Sequence, residues 1–347
     1  MDEAWENLLR QARALQASDL HLTTGAPPLV RLQGRLSPLP NQAVLTADMT
    51  AGVLRSFIKE EQWQQFCRFG ELDLIYAVEK RRYRVHAFQQ HEGTALAVRL
   101  IPETLPTLAQ LGHPEVLRQL ACKRRGLVII CGPTGCGKST TLAAMVHQIN
   151  CECCCHIVTL EEPIEYVHAH RRSIVNQREI PQDTPSFSQG LRAALREDPD
   201  VILVGEMRDA ETMRTVLTAA ETGHLVLATL HTNEAAQALD RIIDGFPPHQ
   251  HQQVRQQLSM VLEAVVVQQL LPCLEGDGRV AALEILLATP AVRTLIREGK
   301  THQLLSVMQT NGKIGMQTME MAVTTLWRKC LISRETACAS VKDKVLL

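Results

Sequence analysis

One nine-residue segment, GPTGCGKST at Gly132–Thr140, constrains the fold of this chain more than any other. The run GLVIIC before it has the length and apolar character of a buried strand. The segment after it, KSTTLAAMVHQI, spaces its apolar residues like the buried stripe of a helix. A G-x-x-x-x-G-K-[ST] pattern between a strand and a helix is typical of a phosphate-binding loop, or P-loop. The sequence therefore predicts a strand–loop–helix unit that binds a nucleotide.

The residue types of this segment predict separate roles in nucleotide binding. Lys138 can reach the β- and γ-phosphates, Ser139 can ligate Mg²⁺, and the helix N-terminus adds its partial positive charge. Cys136 stands at a freely variable position; we favour a small side chain that fits the loop over a reactive thiol, which a helix N-terminus would promote. The predicted nucleotide contacts are Gly132, Pro133, Thr134, Gly135, Cys136, Gly137, Lys138, Ser139 and Thr140.

Four nearly continuous apolar runs predict the sheet to which this loop belongs. Strands of this kind must be buried on both faces, which implies a mostly parallel sheet covered by helices. The segments beyond about residue 250 are predicted to be helical, apart from a strand at VAALEILLA. The four runs are GLVIIC (126–131), HIVTL (156–160), DVILVG (200–205) and HLVLATL (224–230).

The first hundred residues follow a different pattern. The sequence predicts a helix at 3–16, then a strand that ends in a turn at Gly34, and a polar helix at about 47–67. Three short strands that form an antiparallel meander follow, so this region is predicted to be α+β. The proline-rich stretch PETLPTLAQLGHPE then predicts a linker. We therefore predict an N-terminal domain at 1–103, a linker at 104–112 and an α/β domain at 113–347 with a helical C-terminal part.

Acidic residues follow two of the predicted parallel strands. Glu206 follows the strand 201–205, and Glu161 and Glu162 end the strand 156–160. Ligands of open parallel sheets bind beyond the carboxyl ends of the strands. A carboxylate at that edge can hold Mg²⁺ or orient the water that attacks a nucleotide. The sequence therefore predicts a pair of strand-end acids beside the P-loop.

Two histidines stand at opposite ends of the strand HLVLATL. His224 begins it and His231 follows it, so a shared zinc ion is not expected. We predict that His231 reaches a γ-phosphate and that His224 has a structural role.

A cysteine-rich stretch, NCECCCH at 150–156, suggests a metal site at first sight. Zinc sites normally use paired knuckles separated along the chain, and adjacent cysteines do not readily converge on one tetrahedron. The stretch connects the P-loop helix to the next strand at the amino edge of the sheet, away from the ligand edge. We therefore expect an exposed, oxidation-prone connector rather than a metal site.

The overall charge and hydropathy narrow the range of functions. The net charge of −1 gives no bulk attraction to nucleic acid or to an anionic membrane. The N-terminus MDEAWENLLRQ is acidic, unlike a secretory signal, and no window approaches the roughly 18 apolar residues of a membrane span. We expect a cytoplasmic protein with reduced thiols and no nucleic-acid partner.

Taken together, these motifs closely resemble the PilT family of type IV pilus retraction ATPases, within the type II/IV secretion ATPase superfamily. TLEEPIEYVH resembles the Asp box of that family, LRAALREDPDVILVGEMRD its Walker B region and TAAETGHLVLATLHTN its His box. Further matching segments are ASDLHLTTGAPPLVRLQGRL, RYRVHAF, VRLIP and GMQTME.

The resemblance implies an ATP-driven motor for pilus retraction and twitching motility. It implies a PAS-like N-terminal domain, a RecA-like core, a homohexamer, and ATP bound with Mg²⁺ between the two domains. It also implies an inner-membrane platform protein as partner. The ATPase would then act at the inner face of the cytoplasmic membrane and associate with it only through partners.

The resemblance also implies roles for single residues. Lys138 and Ser139 match the Walker A positions, Glu206 the Walker B glutamate and Glu161 the Asp-box glutamate. The remaining matches are the His-box residues His224 and His231 and two N-domain arginines that act as arginine fingers, Arg84 and Arg99.

Three residues depart from the family pattern. Glu162 stands where aspartate is usual, His86 replaces an asparagine and Cys136 replaces a common serine. The longer arm of Glu162 leaves the ligand geometry of the Asp box open.

Three alternative functions remain at this point. The first is a pilus-assembly or type II secretion ATPase of the same superfamily. The second is a RecA-like DNA motor, which would need a basic lining. The third is a scaffold that binds ATP without useful hydrolysis, against which the full set of acidic and histidine motifs argues.

Overall fold

The structure is a computed structural model that describes residues 2–32, 34–79, 81–101, 104–276 and 278–341. The chain divides into two compact units, Met1–Glu103 and Thr104–Leu347. The names PAS-like and RecA-like for these units stay predictions.

Within residues 2–32, 34–79 and 81–101, six strands form one antiparallel sheet in the order β3-β2-β1-β6-β5-β4. The predicted meander is confirmed as β4, β5 and β6. The strands are β1 Asp19–Leu22, β2 Leu29–Leu32, β3 Arg35–Pro38, β4 Glu71–Val78, β5 Arg81–Gln90 and β6 Gly93–Leu100, and the helices are α1 Asp2–Ala14, α2 Ala47–Phe57 and α3 Glu60–Phe69.

The predicted helix at 47–67 is wrong in one respect, because it is two helices. Ile58 is extended and ends α2, and the Lys59 N–H donates to the side chain of Gln62 at the start of α3 (3.0 Å). Strand β1 was also missed, since four residues are too few to show a clear alternation.

The helices of the first unit cover one face of its sheet. Trp5 of α1 is fully buried and stacks on Phe57 of α2, with ring centroids 5.2 Å apart. At the end of α1, Arg13 Nε donates to the hydroxyl of Tyr83 on β5 (2.8 Å). The other face of the sheet carries the polar residues of β1, β5 and β6.

In the described part of the second unit, seven strands form a sheet in the order β13-β12-β7-β11-β10-β8-β9. All pairs are parallel except β12 with β13, which confirms the predicted mostly parallel sheet. The strands are β7 Gly126–Cys131, β8 His156–Glu161, β9 Ile174–Glu179, β10 Val201–Val204, β11 Leu225–Leu230, β12 Leu262–Pro272 and β13 Arg279–Leu287.

Helices cover both faces of this sheet. Leu127 and Ile129 of β7 join one hydrophobic cluster, with α6 to α11, whereas Val128 and Ile130 join a second cluster, with α4 and α5. The helices are α4 Glu115–Ala121, α5 Lys138–Glu152, α6 Phe187–Ala194, α7 Ala210–Glu221, α8 Ala235–Asp244, α9 His251–Val261, α10 Pro290–Glu298, α11 Leu304–Thr310, α12 Met319–Arg328 and α13 Arg334–Ser340. Short 3-10 helices lie at Pro248–Gln250, Thr301–Gln303 and Gly312–Ile314.

The helical prediction for HQQVRQQLSMVLEAVVVQQLL is wrong from Leu262 to Leu271, whereas the strand predicted at VAALEILLA is confirmed as β13 and the segments after residue 290 contain the predicted helices. The amphipathic pattern of α9 ends at Val261, and the chain continues as β12, which lies between β7 and β13. A continuous apolar run such as AVVV has no period, so periodicity cannot separate a buried strand from a buried helix. Strand β9 was missed for the opposite reason, since its sequence IVNQRE is largely polar and it lies at the sheet edge.

Parallel pairing has a direct consequence for the site. Because β7, β8, β10, β11 and β12 run in one direction, their carboxyl ends meet at one edge of the sheet. We call this edge the carboxyl edge. Across the residues that the structure describes, no helix is both long enough and apolar enough to span a membrane.

A buried histidine lies in the connection between β8 and β9. His168 is 7% exposed, and its backbone N–H donates to the side-chain oxygen of Gln177 (2.8 Å). Burial, and then the charge of nearby His147, lowers its pKa from 6.5 to about 4. The folded protein therefore holds this ring neutral at neutral pH.

This lowered pKa predicts acid sensitivity. Above pH 6.5, the pKa of His168 in the unfolded chain, the ring is neutral in both states and the folded state keeps its full stability. As the pH falls from 6.5 towards 4, protonation favours the unfolded chain and stability is lost. At pH 4 the loss is on the order of 3 kcal/mol. We expect His168→Gln to flatten the dependence of the unfolding free energy on pH across this window, measured by urea denaturation. The exposed His249→Gln is the control; equal pH slopes for wild type and His168→Gln would contradict the assignment.

Candidate nucleotide site

The P-loop joins β7 to α5 at the carboxyl edge. Gly132, Gly135 and Gly137 have φ values of 140°, 78° and 87°, which L side chains rarely adopt. The loop also packs tightly against β12, since a Cβ on Gly132 would lie 2.4 Å from the Gln268 carbonyl oxygen. A Cβ on Gly137 would lie 2.8 Å from the side-chain nitrogen Nε2 of Gln268. Both glycines are therefore required for the loop to close on the sheet.

Lys138 lies across the mouth of this loop. Its Nζ donates to the carbonyl oxygens of Gly132 (2.7 Å) and Pro133 (3.0 Å), and the side chain is buried. The loop backbone thus surrounds a cation at the N-terminus of α5. This donor set, an ammonium with backbone N–H groups and a helix N-terminus, fits a polyphosphate anion.

The hydroxyl residues after Lys138 lie in different surroundings. Ser139 is exposed, whereas Thr140 Oγ1 is 3.0 Å from the hydroxyl of Tyr166. Pro133, Thr134 and Gly135 form the exposed tip of the loop. The tip of the loop and Ser139 are therefore exposed to solvent, while the contact between Thr140 and Tyr166 holds the first turn of α5 against the protein.

Cys136 faces the protein interior. It is 4% exposed, and burial raises the pKa of its thiol above the ordinary value. A raised thiol pKa lowers the thiolate fraction at neutral pH. The position therefore favours a packing role over a reactive nucleophile.

A line of polar contacts connects Lys138 to the strand-end acids. The His231 Nδ1 lies 3.5 Å from Lys138 Nζ, and its Nε2 lies 3.4 Å from Glu206 Oε1. Because an ammonium only donates, this contact places the neutral His231 proton on Nε2, towards Glu206. His231 thus lies between the P-loop lysine and the carboxylate that follows β10.

Arg208 joins the two acidic segments. One guanidinium nitrogen lies 2.8 Å from Glu206 Oε2 and the other lies 2.8 Å from Glu162 Oε2. The hydrogen bond to Glu206, and then the charges of both carboxylates, raises the pKa of Arg208. Arg208 was not predicted from the sequence, although it lies two positions after Glu206 and so can return to the same edge.

Glu161 and Glu162 have different partners. Glu161 Oε1 accepts from Thr159 Oγ1 (2.6 Å) and from Gln177 Nε2 (3.0 Å), which hold it at the end of β8 beside β9. Glu162 turns towards Arg208 and through it meets Glu206. The structure therefore brings both acidic segments together, with Glu162 as the residue that joins them.

His224 lies at the other end of β11. Its Nδ1 lies 2.9 Å from the Ala219 carbonyl oxygen and 3.1 Å from Thr222 Oγ1. These contacts hold the turn between α7 and β11 at the amino edge of the sheet. The strand thus separates His224 from the P-loop, as its structural interpretation requires.

Arg84 and Arg99 belong to the first unit, where they are directly opposite each other on β5 and β6. Both side chains are substantially exposed, at 44% and 62%. Arg99 Nε lies 3.1 Å from Asp19 Oδ1, whereas the nearest contact of Arg84 with Asp73 is longer, at 4.0 Å. His86, on the same face of β5, also contacts Asp73 (3.2 Å). Two adjacent guanidinium groups on one face suit a shared anion.

The cysteine stretch lies away from these residues. Cys151 belongs to the last turn of α5, 3.7 Å from His147 Nε2, and Cys155 Sγ lies 3.3 Å from Ser173 Oγ. All eleven cysteines fall within the described residues and are free thiols. Over the same residues, no group of three or more His, Cys, Asp or Glu side chains is arranged to hold a metal ion.

A cavity of about 570 Å³ opens at the carboxyl edge beside Pro133 of the P-loop. Glu284, which lines it, accepts hydrogen bonds from the backbone N–H groups of Ala235 (2.8 Å) and Met319 (3.4 Å), the first residues of α8 and α12. Burial raises the pKa of Glu284. Gln268 also lines the cavity, and its Nε2 donates to the Cys136 carbonyl oxygen (2.6 Å). Glu284, Gln268 and Tyr166 were not predicted from the sequence.

Comparisons with known proteins agree with this geometry. The family "Type II/IV secretion system protein" matches residues 5–332. The chain is 47% identical over 327 residues to the type IV pilus retraction ATPase PilT of Pseudomonas aeruginosa, covering 94% of each chain. It is 45% identical over 330 residues to a twitching motility protein of Neisseria gonorrhoeae, covering 93% of this chain and 88% of the relative.

A solved structure gives the same result. The crystal structure of the pilus retraction motor PilT with bound ADP superposes with a TM-score of 0.90 at 44% identity, covering 98% of this chain and 97% of that one. These similarities confirm the predicted family, the α/β fold and the ATPase class. The chain therefore belongs to the type II/IV secretion system protein family and groups there with the PilT-type ATPases.

Proposed function

We propose that this ATPase is a motor that powers type IV pilus retraction and thereby twitching motility. The observation that carries the proposal is the line of contacts from Lys138 through His231, Glu206 and Arg208 to Glu162 at the carboxyl edge. It joins the P-loop to both acidic segments within one unit. Similarity to PilT over 94% of both chains supports retraction as the direction of work.

In this proposal the P-loop holds the phosphates of ATP. The backbone N–H groups of the non-proline residues in Gly132–Thr140 and the ammonium of Lys138 would face the anion, and the N-terminus of α5 would add its dipole. Ser139 and Glu206 would hold Mg²⁺, directly or through water. A bound Mg²⁺ neutralises charge that develops on the phosphoryl oxygens.

The carboxylates and histidines serve hydrolysis. Glu206 would orient the attacking water and accept its proton, and Glu161 would support the same region from the end of β8. His231, whose Nε2 lies 3.4 Å from Glu206 Oε1, would contact the γ-phosphate. Glu162 and His224 act as positioning or sensing residues, the first through Arg208 and the second by fixing the start of β11.

Arg84 and Arg99 complete the proposed site as arginine fingers. Each already faces a carboxylate on its own sheet, so a phosphate anion would compete with Asp73 and Asp19 for them. ATP would bind between the PAS-like domain that carries these arginines and the RecA-like core. Closure around the nucleotide would then move one domain against the other.

The assembly and its surroundings are part of the same proposal. We propose a homohexamer at the inner face of the cytoplasmic membrane that acts on a pilus platform protein and touches the membrane only through partners. The net charge of −1 gives no reason to propose a nucleic-acid partner. An assembly or secretion ATPase of the same family is the second candidate.

Two substitutions separate binding from turnover. We expect Lys138→Ala to lower ATPase activity by at least about 100-fold, because the phosphates lose their main cation. Glu206→Gln should still bind ATP but turn it over about 10²–10⁴-fold more slowly, because an amide cannot act as a base. Steady-state phosphate release and calorimetric ATP binding measure the two effects.

Exposed residues supply the controls for this pair. Lys313→Ala and Glu275→Gln remove charges of the same sign at exposed positions outside the proposed site residues, and both should behave as wild type. Rapid hydrolysis by Glu206→Gln would overturn the catalytic assignment. Tight ATP binding without turnover by the wild type would instead favour a scaffold.

If Arg84 and Arg99 act as arginine fingers, their removal should lower the rate of ATP hydrolysis without an equal loss of ATP affinity. Arg84→Ala and Arg99→Ala should each lower kcat by about 10³–10⁵-fold, because the supplied guanidinium stabilises charge in the transition state. Arg35→Ala, an exposed arginine on strand β3 of the same sheet, is the matched control. If both variants kept wild-type kcat, the arginines would belong only to the ion pairs with Asp73 and Asp19.

Deletion of the gene separates the two candidate directions of work. A retraction motor leaves excess surface pili that do not shorten, whereas loss of an assembly ATPase leaves few pili. We expect excess pili, scored by electron microscopy and by twitching on agar. Restoring the gene should return both measures to normal, and restoring it as Glu206→Gln should not. Loss of pili would favour assembly, and DNA-stimulated ATPase activity would favour a DNA motor.

A further inference from the structure

Three side chains connect the P-loop to the segment that precedes α4. His113 Nε2 lies 2.9 Å from Thr141 Oγ1, Thr141 Oγ1 lies 2.7 Å from Gln268 Oε1, and Gln268 Nε2 lies 2.6 Å from the Cys136 carbonyl oxygen. Thr141 and Gln268 are buried, at 0% and 2% exposure. None of the three side chains is among the proposed catalytic residues. We call this series the His113 relay.

The direction of the hydrogen bonds in the relay is determined by chemistry. A backbone carbonyl only accepts, so the Gln268 amide nitrogen must face Cys136 and its Oε1 must accept from Thr141. A hydroxyl has one proton, so Thr141 Oγ1 must accept from His113. Burial lowers the pKa of His113 to about 4, so at neutral pH the ring is neutral with its proton on Nε2. Thr141 and Gln268 therefore each accept one hydrogen bond and donate one, while His113 donates at one end and the Cys136 carbonyl oxygen accepts at the other.

The relay acts on one peptide of the P-loop. The bond between Cys136 and Gly137 is trans, so its C=O and N–H point in opposite directions. Because Gln268 holds the carbonyl towards β12, the N–H of Gly137 points away from β12, and we expect it to face the inside of the loop. Inward backbone N–H groups are the donors that a P-loop offers to phosphate.

The other end of the relay lies in a hydrogen-bonded turn. The His113 N–H donates to the Leu108 carbonyl oxygen (3.0 Å), and the Leu111 N–H donates to that of Thr107 (3.1 Å). Leu108 is 4% exposed and Gly112 has a left-handed φ of 68°. The turn at 107–113 directly follows the segment by which the chain enters the second unit. A shift of this turn would therefore move His113 away from Thr141.

We propose that His113, through Thr141 and Gln268, positions the Cys136–Gly137 peptide for phosphate binding and so couples nucleotide affinity to the placement of the turn at 107–113. The inference rests on the proposed nucleotide binding by the P-loop. Coupling of this kind is reciprocal: a bound nucleotide must hold the turn as strongly as the turn supports the nucleotide. His113 is thus a positioning residue, not a catalytic one.

The test uses pairs of variants that remove or keep the hydrogen bonds in the full-length protein. His113→Phe and Thr141→Val fill similar space without the polar atoms, whereas His113→Gln and Thr141→Ser retain them. We expect the first pair to weaken ADP binding by about 3- to 10-fold, the range of one net hydrogen bond. The second pair should bind ADP close to wild type. The double variant His113→Phe/Thr141→Val should add little, because the first change already breaks the series.

Two further measurements separate positioning from a purely structural role. KM for ATP should rise in His113→Phe while kcat at saturating ATP stays near wild type. Hydrogen exchange at residues 107–113 should slow on ADP binding in the wild type and slow less in Thr141→Val. His249→Phe, an exposed histidine, is the control.

The outcomes distinguish the inference from the proposed function. Wild-type ADP affinity in His113→Phe and Thr141→Val would overturn the relay. Equal losses in His113→Gln and His113→Phe, with a lower melting temperature of the free protein, would also overturn it in favour of packing alone. Failure of the wild-type protein to bind ADP would instead reject the proposed function.

Discussion

The parallel pairing of β7, β11, β10 and β8 is the constraint on which the rest of the second unit depends. Since both faces of these strands are buried, their pairing cannot change without exposing one of two hydrophobic clusters. Parallel pairing also requires the chain to cross back over a helix-covered face of the sheet before the next strand begins. The residues after the strands therefore meet at one edge although they are far apart in sequence. Glu206 and His231 meet there for this reason.

Charge is balanced locally at this edge. Two carboxylates that converge beside a P-loop would repel each other and an incoming polyphosphate, and Arg208 lies between them. Its side chain is 57% exposed, so the ion pairs contribute little to stability. Their contribution is geometric, since a planar guanidinium that bridges Glu162 and Glu206 through its two terminal nitrogens sets the spacing of these carboxylates.

The sequence predicted those features that follow from a fixed spacing. The P-loop, the strand-end acids and His231 could be found because a parallel strand always delivers the next residue to the same edge. Strand β12 could not be found, since its apolar run carries no period. Gln268 was missed with it, because a single glutamine in an apolar segment acquires meaning only when β12 is placed against the loop. Arg208 and His113 depend on side-chain directions that residue spacing does not determine.

Strand β12 links the P-loop to the C-terminal helices. The side-chain amide of Gln268 on β12 fixes the Cys136 carbonyl oxygen. Residues of β12 also line the cavity beside Glu284. Glu284 in turn accepts hydrogen bonds from the first N–H groups of α8 and α12, where a carboxylate interacts favourably with the positive ends of both helix dipoles. Glu284 lies on β13, opposite Val267 of β12, which precedes Gln268. The residue that fixes the Cys136 carbonyl and the residue that accepts from both helices therefore lie on paired strands of one sheet, so β12 and β13 together connect the P-loop to α8 and α12.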